Sequence, residues 1–430
     1  MALGQKAGLR LVRAERGQVE WQMASLDELL PEDHRARQVW QYVEGLELSR
    51  LYDAIQSHTG RAGRPAIDPA VLMTLWLYAT LEDVGSARQV ARLCERDVSY
   101  RWILGRVRVS HKTLSDFRVE AGGVLDELLS RSVAALASAG VVDLQCVAVD
   151  GMRLRASAGT NSFRRKKRLD QLHDLASEKV AKLRGELDRD PGASDRRRQA
   201  RRQWAAEDRQ RRIEQAKQAL AEIEAQRAAE AKEQRRKQPA NKREPRASTS
   251  DAQARIMKMA DGGYRPGFNA QFKTTPPIGL IIGVSVDNNG SDRGRLRGTV
   301  AEIEQRYGQR PQQVLADSGY DSKTDIAALH EHEKGTVAVF CPLPRNQDGQ
   351  VRPPRVNDGP GVLAWHQRMN SDDGKALYRQ RFATERPHAD MRNRGLTGVL
   401  VRGIEKVKAV VLWHVHAYNF LIISRLPRTA

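Results

Sequence analysis

Two aspartates stand at the ends of apolar segments that have the length and composition of β-strands. Asp150 closes the segment CVAVD and Asp317 closes QVLAD, and a glycine follows each of them within two residues. Strands of an open α/β sheet deliver their last residues to the edge where such sheets bind ligands, and glycine lets the backbone turn or approach a substrate closely. Paired carboxylates at such an edge can hold two Mg²⁺ ions, roughly 3.5–4 Å apart, for displacement at phosphate. The pattern predicts metal-dependent phosphate chemistry.

A third carboxylate, Glu385, lies in the segment YRQRFATERPHADMR near the carboxyl end of the chain. Tyr378, Arg381, Glu385 and Arg392 follow a Tyr-x2-Arg-x3-Glu-x6-Arg spacing. On one continuous helix this spacing places the four side chains within a stripe about 60° wide. A carboxylate flanked by arginines and a tyrosine is suited to metal binding beside phosphate contacts, although an ordinary solvated Arg/Glu face has the same pattern.

Pro387 favours a second arrangement of this segment, because proline disfavours one unbroken helix. In that arrangement Thr384 caps a new helix that begins at Glu385, and Pro387 is tolerated in the first turn. Glu385 and Arg392 would still share a face, whereas Tyr378 and Arg381 would lie on the preceding turn.

Strands and helices alternate around these carboxylates, which predicts an α/β domain with a mixed sheet. The predicted strands are CVAVD (146–150), FNAQFKT, LIIGVSVD (280–287), QVLAD (313–317) and VAVFC (337–341). The predicted helices cover 293–307, 322–332, 376–394 and 407–426. We assign 141–160 and 255–430 to this domain. The aromatic side chains of its last helix, Trp413, Tyr418 and Phe420, are expected in the core.

Residues 26–140, after an N-terminal tail at 1–25, read as several short helices separated by Gly, Pro and Asp. One apolar helix face is marked by Leu72, Leu75, Trp76 and Ala79, and Ser86 and Ser110 stand where N-caps belong. We predict a compact helical domain with a helix-turn-helix-like unit that binds DNA. Its outward-facing side chains would be Lys112, Thr113, Ser115 and Arg118. A purely structural helical cap is the alternative.

The chain carries 72 Lys+Arg against 53 Asp+Glu, a net charge of +19, which favours a polyanionic partner such as nucleic acid. Residues 161–250 alone carry a net +11. Apolar residues recur there at helical steps on both sides of the DPGASD stretch (190–195), before the linker-like run QPANKREPRASTS. We therefore interpret 161–254 as a basic helical or coiled-coil insertion and a linker. It would bind DNA nonspecifically, mediate dimerisation, or serve only as a solvated helix pair.

Other classes of protein find little support in the composition. The three cysteines are far apart and lack CxxC spacing, which disfavours a disulfide scaffold and a cysteine zinc site. No GxxxxGK[ST] loop is present, so we expect no use of ATP. The absence of a long apolar run predicts no membrane span and no secretory signal, so we expect a cytoplasmic protein.

Taken together, these motifs resemble the DDE transposases of bacterial insertion sequences. The similar group ends its acidic triad in a Tyr-x2-Arg-x3-Glu-x6-Lys signature, and the group numbered eleven-eighty-two looks closest. The resemblance is carried by GRPAIDPAVLMTLWLYA, RDVSYRWILG through HKTLSDFR, AVDGMRLRASAG, DGGYRPGFNAQ, VLADSGYDS and YRQRFATER. It spans roughly 25–160 and 255–425, nearly everything except the charged insertion. Arg392 stands where the signature has lysine, which keeps the charge but changes the hydrogen-bond geometry.

The resemblance implies an RNase H-like catalytic fold in which Asp150, Asp317 and Glu385 hold two Mg²⁺ or Mn²⁺ ions. It also implies that Tyr378, Arg381 and Arg392 contact DNA near the scissile phosphate. The expected activity is cleavage and transfer of DNA strands at the terminal inverted repeats of the element, by a nucleoid-associated homodimer. A catalytically inactive or domesticated DNA-binding protein with the same fold is the alternative.

Overall fold

A computed structural model of the chain describes residues 23–57, 65–187, 193–233 and 244–426. Most of the predicted N-terminal tail, the start of the DPGASD stretch and much of the predicted linker lie outside these residues. Within the described part of the chain, no helix is both long and apolar enough to cross a membrane.

Among the described residues, seven helices form the N-terminal part, in agreement with the several short helices predicted for 26–140. They are α1 (Arg35–Glu44), α2 (Ser49–Asp53), α3 (Pro69–Leu81), α4 (Ala87–Arg96), α5 (Val98–Leu104), α6 (His111–Glu120) and α7 (Gly122–Ser138). The caps follow the sequence signals: Asp68 accepts the N–H of Ala70 ahead of α3, and Ser110 accepts the N–H of Thr113 in α6. Ser86 occupies the N-cap position of α4 but makes no side-chain capping bond.

The four residues predicted to mark an apolar face of α3 are buried, and so is the rest of its circumference. Apart from Ala70, every residue of α3 is buried, including Thr74 and Thr80. A helix that is apolar around its whole circumference belongs at the centre of a core. It is surrounded by α1, α5, α6 and a long C-terminal helix, which explains the lack of a polar side.

A six-stranded mixed sheet forms the second part of the molecule. Its strands are β1 (Cys146–Arg155), β4 (Arg255–Lys258), β5 (Tyr264–Thr275), β6 (Leu280–Asp287), β7 (Gln313–Ala316) and β8 (Ala338–Phe340), while β2 (Phe163–Arg164) and β3 (Ala247–Ser248) form a separate pair. The order is β4-β5-β1-β7-β8, with β6 also on β5. The β1–β7 and β7–β8 pairs are parallel and the others antiparallel. The predicted mixed sheet is thus confirmed, and the arrangement is consistent with an RNase H-like fold.

The first strand is longer than predicted and does not end at Asp150. It continues to Arg155, because 148–155 pair antiparallel with β5 from Thr274 back to Gly267. Only its first four residues pair with β7 on the other side. Asp150 therefore lies inside a strand, at the level where the neighbouring strand β7 ends and leads into Asp317.

The helices of the sheet region follow in chain order. They are α10 (Leu296–Tyr307), α11 (Lys323–His330), α12 (Pro360–Asn370), α13 (Asp372–Arg379), α14 (Glu385–Asn393) and α15 (Ile404–Ile423). The predicted helix at 376–394 is in fact α13, a 3-10 segment at Gln380–Thr384 and α14. The segment α12 was not predicted, because its Pro/Gly-containing start resembled a loop.

The last helix, α15, joins the two parts of the molecule. It packs against α3, α6 and α7 on one side and against β6 on the other. Trp413, Tyr418 and Phe420 are buried in it, as predicted. Asp126 of α7 bonds both Arg306 of α10, at 2.8 Å, and Lys408 of α15, at 2.7 Å. One hydrophobic core therefore runs continuously from α1 through the sheet.

The insertion forms a helical arm. Its helices are α8 (Lys166–Leu187) and α9 (Ala193–Glu233), which pack against each other, and the β2–β3 pair joins them to the sheet domain. Leu169 and Ala176 of α8 and Ile213, Ala216 and Leu220 of α9 form a small separate core, which confirms the predicted helical periodicity. Ala247 and Ser248, which we predicted to belong to a linker, are instead buried in β3.

A buried ion pair in the sheet provides a test of its packing. The ammonium of Lys273 in β5 is buried and lies 2.6 Å from Glu302 of α10. Burial lowers the pKa of Lys273, and Glu302 opposes this shift. We expect Glu302→Gln to lower the free energy of unfolding by about 3 kcal/mol at pH 7, because it leaves a buried charge without its partner. Denaturant titrations measure this quantity.

The loss should shrink as the pH rises through the folded pKa of Lys273 toward the ordinary value of lysine. Burial already lowers the pKa of Lys273, and it falls further without Glu302, so the lysine deprotonates in the folded state and the buried charge disappears. The Lys273→Met, Glu302→Gln double variant should lose less stability than Glu302→Gln alone. Equal stability of Glu302→Gln and the parent would contradict the role of the pair.

Candidate active site

Asp150 and Asp317 lie next to each other because their strands pair in parallel. Val149 is in register with Ala316, and each aspartate is the next residue of its chain. The Oδ1 of Asp150 accepts the N–H of Gly151 at 2.8 Å, and the Oδ1 of Asp317 accepts that of Gly319 at 2.8 Å. The predicted pairing of the two carboxylates at this edge is thus present.

Both aspartates carry a raised pKa. Burial raises the pKa of Asp150, while the guanidinium of Arg381 and the N–H of Gly151 oppose the shift. Burial also raises the pKa of Asp317, and the charge of Asp150 raises it further. Like charges that are close together and shielded from water disfavour each other's ionisation. A cation between the two carboxylates would relieve this repulsion.

Glu385 reaches this pair only through Arg381. One guanidinium nitrogen of Arg381 lies 3.4 Å from Oδ2 of Asp150, and the other lies 3.3 Å from Oε1 of Glu385. The side chain of Glu385 is 68% exposed, whereas those of Arg381 and Asp150 are about four-fifths buried. Among the described residues, no group of three His, Cys, Asp or Glu side chains is arranged to hold a metal ion.

The residues at this edge nevertheless fit a divalent cation in their donor chemistry. Carboxylate oxygens are the ligands that Mg²⁺ and Mn²⁺ prefer, and Asp150 and Asp317 present them side by side at raised pKa. The positive charge nearest to Asp150 is the guanidinium of Arg381. A metal would thus meet the carboxylates of Asp150 and Asp317, while the side chain of Arg381 lies between Asp150 and Glu385.

The segment that contains Glu385 adopts the second of the two predicted arrangements. The helix α14 begins at Glu385, Thr384 precedes it at the N-cap position, and Pro387 lies in its first turn. The single stripe predicted for a continuous helix is therefore wrong. Thr384 makes no capping bond, because its hydroxyl donates instead to the carbonyl of Arg381, at 2.9 Å.

A histidine of α14 also lies against Asp150, and it was not predicted from the sequence. The Nδ1 of His388 lies 3.6 Å from Oδ2 of Asp150, and its ring packs edge-on against Phe272. Burial, with a further contribution from Arg392 and Arg381, lowers the pKa of His388 to about 4. The imidazole is therefore neutral at pH 7, so this contact is not an ion pair.

The predicted DNA-binding residues have different locations. Arg392 is exposed on α14, and Tyr378 is half-buried with its ring centroid 6.0 Å from the guanidinium carbon of Arg381. Lys112 and Thr113 lie accessible in the first turn of α6, where Lys112 pairs with Asp116. No described contact links these α6 residues to the aspartates.

The prediction that Arg118 faces outward is wrong. Only 7% of Arg118 is exposed, and its guanidinium lies over the ring of Trp76, 4.8 Å from the centroid. It also donates to the carbonyl of Gly85. The α6 position of Arg118 faces the core, and the long arginine stem packs there while its head finds an aromatic face and a carbonyl.

A fourth acid, Asp292, lies beside the pair and escaped the sequence analysis. It is 7% exposed and accepts three hydrogen bonds, from Arg153 at 2.9 Å, Asn269 at 2.7 Å and Gln271 at 2.6 Å. The hydroxyl of Tyr320 donates to Gln271. This network ties β1, β5 and the turn after Asp317 together, and it fixes the backbone around both aspartates.

The two glycines make room for Asp292. A Cβ on Gly151 would lie 2.6 Å from Oδ1 of Asp292, and one on Gly319 would lie 3.0 Å from Oδ1 of Asp317 and 3.6 Å from Asp292. Gly151 lies within β1, so the chain does not turn there, which was one of the two roles predicted for this glycine. The glycines are thus explained by close packing of acids at the sheet edge.

One sequence signal could have revealed this network. In FNAQFKT the polar residues Asn269, Gln271 and Lys273 alternate with apolar ones, which places three polar side chains on one face of β5. All three are buried. Buried polar groups require partners, so the alternation implies a polar network. Asp292 itself follows the strand β6 in a polar loop, where sequence alone gives no contact.

Comparisons with known proteins identify two transposase domains in the chain. The model of a transposase domain (DUF772) matches residues 24–120, and that of a transposase DDE domain matches residues 237–420. The second match contains Asp317 and Glu385, whereas Asp150 precedes it. No curated protein sequence and no solved structure matches the chain.

The two matches cover most of the chain and follow each other in the order helical region, then catalytic region. DDE transposases act on DNA and generally use divalent metal ions. The chain belongs to the DDE transposases of insertion sequences.

Proposed function

We propose that the protein cuts and joins DNA at the ends of its own insertion sequence, with Asp150, Asp317 and Glu385 as the catalytic carboxylates. The observation that carries this proposal is the buried aspartate pair with its raised pKa values, beside the guanidinium of Arg381. Two adjacent carboxylates whose ionisation is disfavoured are suited to bind a cation, and the bound cation can then hold a phosphate. Membership of the group numbered eleven-eighty-two is part of the proposal.

The three carboxylates would hold two Mg²⁺ or Mn²⁺ ions, which when bound would activate water and neutralise charge at the phosphate. Arg381 would leave Asp150 and Glu385 and place its guanidinium against a DNA phosphate, to which its planar fork is suited. Tyr378 and Arg392 would contact DNA next to it. Neutral His388 would hold Asp150 in place without competing for its charge.

The reaction would proceed in two displacements at phosphorus. Water attacks the phosphorus at the element end, the P–O3′ bond breaks, and the 3′ oxygen leaves as a hydroxyl. That 3′ oxygen then attacks a phosphorus of target DNA and the target 3′ oxygen leaves, so no covalent protein–DNA bond and no ATP are needed. Such chemistry relies on positioning and charge neutralisation.

The helical region would recognise the terminal inverted repeats. Lys112 and Thr113 stand accessible at the start of α6, a position from which a helix presents side chains to a DNA groove. Two protomers would bring two ends together, and the protein would work in the cytoplasm on nucleoid DNA. Arg118 has no part in this contact, because it is buried.

The test combines the purified protein, DNA from both flanks of its reading frame, a supercoiled target plasmid and Mg²⁺ or Mn²⁺. We expect end-specific nicks and joined products that disappear with a chelator. Flank DNA that is bound but neither nicked nor joined would favour the inactive DNA-binding protein. In such a protein Glu385 would stay paired with Arg381 and would not join the two aspartates.

A further inference from the structure

The outer end of the helical arm carries a cluster of arginines without acidic partners. Arg197, Arg198, Arg201 and Arg202 are exposed within less than two turns of α9. Within the described part of the chain, none of the four makes an ion pair. Four positive charges that repel each other on one helix destabilise it, so a ligand that neutralises them is expected.

The rest of the arm neutralises its charges internally. Lys217 pairs with Asp170 at 2.7 Å and Arg184 with Glu207 at 2.9 Å, both between the two helices. Arg212 pairs with Asp208 along α9. Between 196 and 212 there are eight arginines and two acids, and both acids are already engaged by cations. The surplus of positive charge is therefore concentrated at the outer end of the arm.

This place lies far from the sheet. Residues near Lys217 of α9 face the start of α8, next to the β2–β3 pair, while Arg201 lies four turns further out. At 1.5 Å per residue, the cluster stands about 25 Å beyond the base of the arm. A surface at this distance can reach DNA outside the segment held at the aspartates.

The neighbouring surface also has the character of a binding site. Trp204 is 65% exposed and lies on the same helix stripe as Arg197 and Arg201. The groove between α8 and α9 is floored by apolar side chains and edged by cations, among them Lys179 and Arg209, and among the described residues no carboxylate lines it. A large exposed indole beside unpaired arginines marks an interaction surface.

We propose that the outer end of the arm is a second docking surface for the phosphate backbone of duplex DNA. The partner follows from charge complementarity, because a duplex presents one phosphate per ~1.7 Å of axis and the guanidinium fork matches phosphate oxygens. Its identity as DNA rests on the proposed function. The contact would be independent of sequence and would hold DNA that flanks the catalytic edge, or the target.

The experiment measures the salt dependence of binding to a 40-base-pair duplex that is unrelated to the element. We compare the full-length parent with a variant in which Arg197, Arg198, Arg201 and Arg202 are all Gln, and with a matched variant in which all four are Lys. Each phosphate contact contributes about −0.9 to the slope of log K against log salt. We expect the Gln variant to lose about 3.6 units of slope and to bind on the order of 1,000-fold more weakly at 100 mM salt, while the Lys variant resembles the parent.

Trp204→Ala separates the uncharged part of the contact. It should weaken binding several-fold without changing the slope, because no counterion is released by an indole. An unchanged slope in the Gln variant overturns the proposal. A Gln variant that loses dimer mass in sedimentation, with DNA affinity intact, overturns it in favour of a surface for a second copy.

The outcomes also separate this inference from the proposed function. The parent's nicking of element ends tests the aspartates, and the slope for unrelated duplex tests the arm. A parent that nicks but whose slope is insensitive to the Gln substitutions contradicts the arm alone. A parent that binds through the arm without nicking contradicts the proposed catalysis alone.

Discussion

Asp317→Asn should reduce the nicking of element ends at least about 1,000-fold while the protein remains folded. The change removes one of two adjacent metal-binding charges from the proposed centre, where charge stabilisation of the transition state is the main catalytic contribution. The amide oxygen of Asn can still accept the N–H of Gly319, so the local backbone should persist. Gel separation of nicked end-labelled DNA measures the loss, and Asp150→Ala and Glu385→Gln should behave alike. Equal nicking by all of these variants would refute the three-acid assignment.

The same variant should be more stable than the parent when metal is absent. Because the folded pKa of Asp317 is raised above its unfolded value, its contribution to stability is greatest below that unfolded value and is lost as the pH rises through the folded pKa. At neutral pH the parent therefore carries a repulsion that Asn removes, and Tm should rise by on the order of a degree or two. Added Mg²⁺ or Mn²⁺ should stabilise the parent and leave Asp317→Asn unchanged, which is a readout independent of activity.

Asp292→Asn should lower nicking about 10- to 100-fold, chiefly in kcat, although Asp292 is not itself assigned as a metal ligand. Its carboxylate accepts from Arg153, Asn269 and Gln271, and one amide cannot accept from all three. Loss of residues that orient metal ligands typically costs this much. Single-turnover nicking at saturating DNA measures the rate.

Asp126→Asn is the matched control for this variant. Asp126 likewise accepts hydrogen bonds from several side chains, here those of Arg306 and Lys408, and it lies on α7. We expect comparable destabilisation in both variants but a loss of the nicking rate only in Asp292→Asn. A parallel loss in both would make Asp292 a purely structural residue. Asp292→Glu should also nick DNA more slowly than the parent. Asp292 is packed closely against Gly151 and Gly319, which leaves little room for a longer side chain.

The positions of the strands and of the aspartates could be predicted because an apolar run of strand length has few alternatives. LIIGVSVD matches β6 residue for residue, and QVLAD ends one residue after β7. The continuation of β1 past Asp150 could not be predicted in this way. Polar residues there are held in the sheet by pairing with β5, which is a long-range contact that periodicity does not contain.

The side-chain level was predicted less completely than the backbone. Arg118 appeared to be an exposed arginine of a recognition helix, but the aromatic face of Trp76 allows its charge to be buried. Asp292 lies in a polar loop that sequence reasoning treats as solvent-exposed. Glu385 was identified from the spacing of its neighbours, yet its contact with Arg381 depends on where the 3-10 segment turns, which a helical wheel does not describe.

The continuity of the core through α15 has a mechanical consequence. The helix α15 packs against α3 and α7 on one side and against β6 on the other. Because one core joins these parts, the start of α6 and the aspartate edge are held at a fixed separation. A protein with a hinge between these parts could adjust its span to the DNA. If the start of α6 holds the terminal repeat as we propose, the duplex would have to bend or twist to reach both places. The flexibility of the DNA between the recognised sequence and the cleaved bond would then contribute to the specificity.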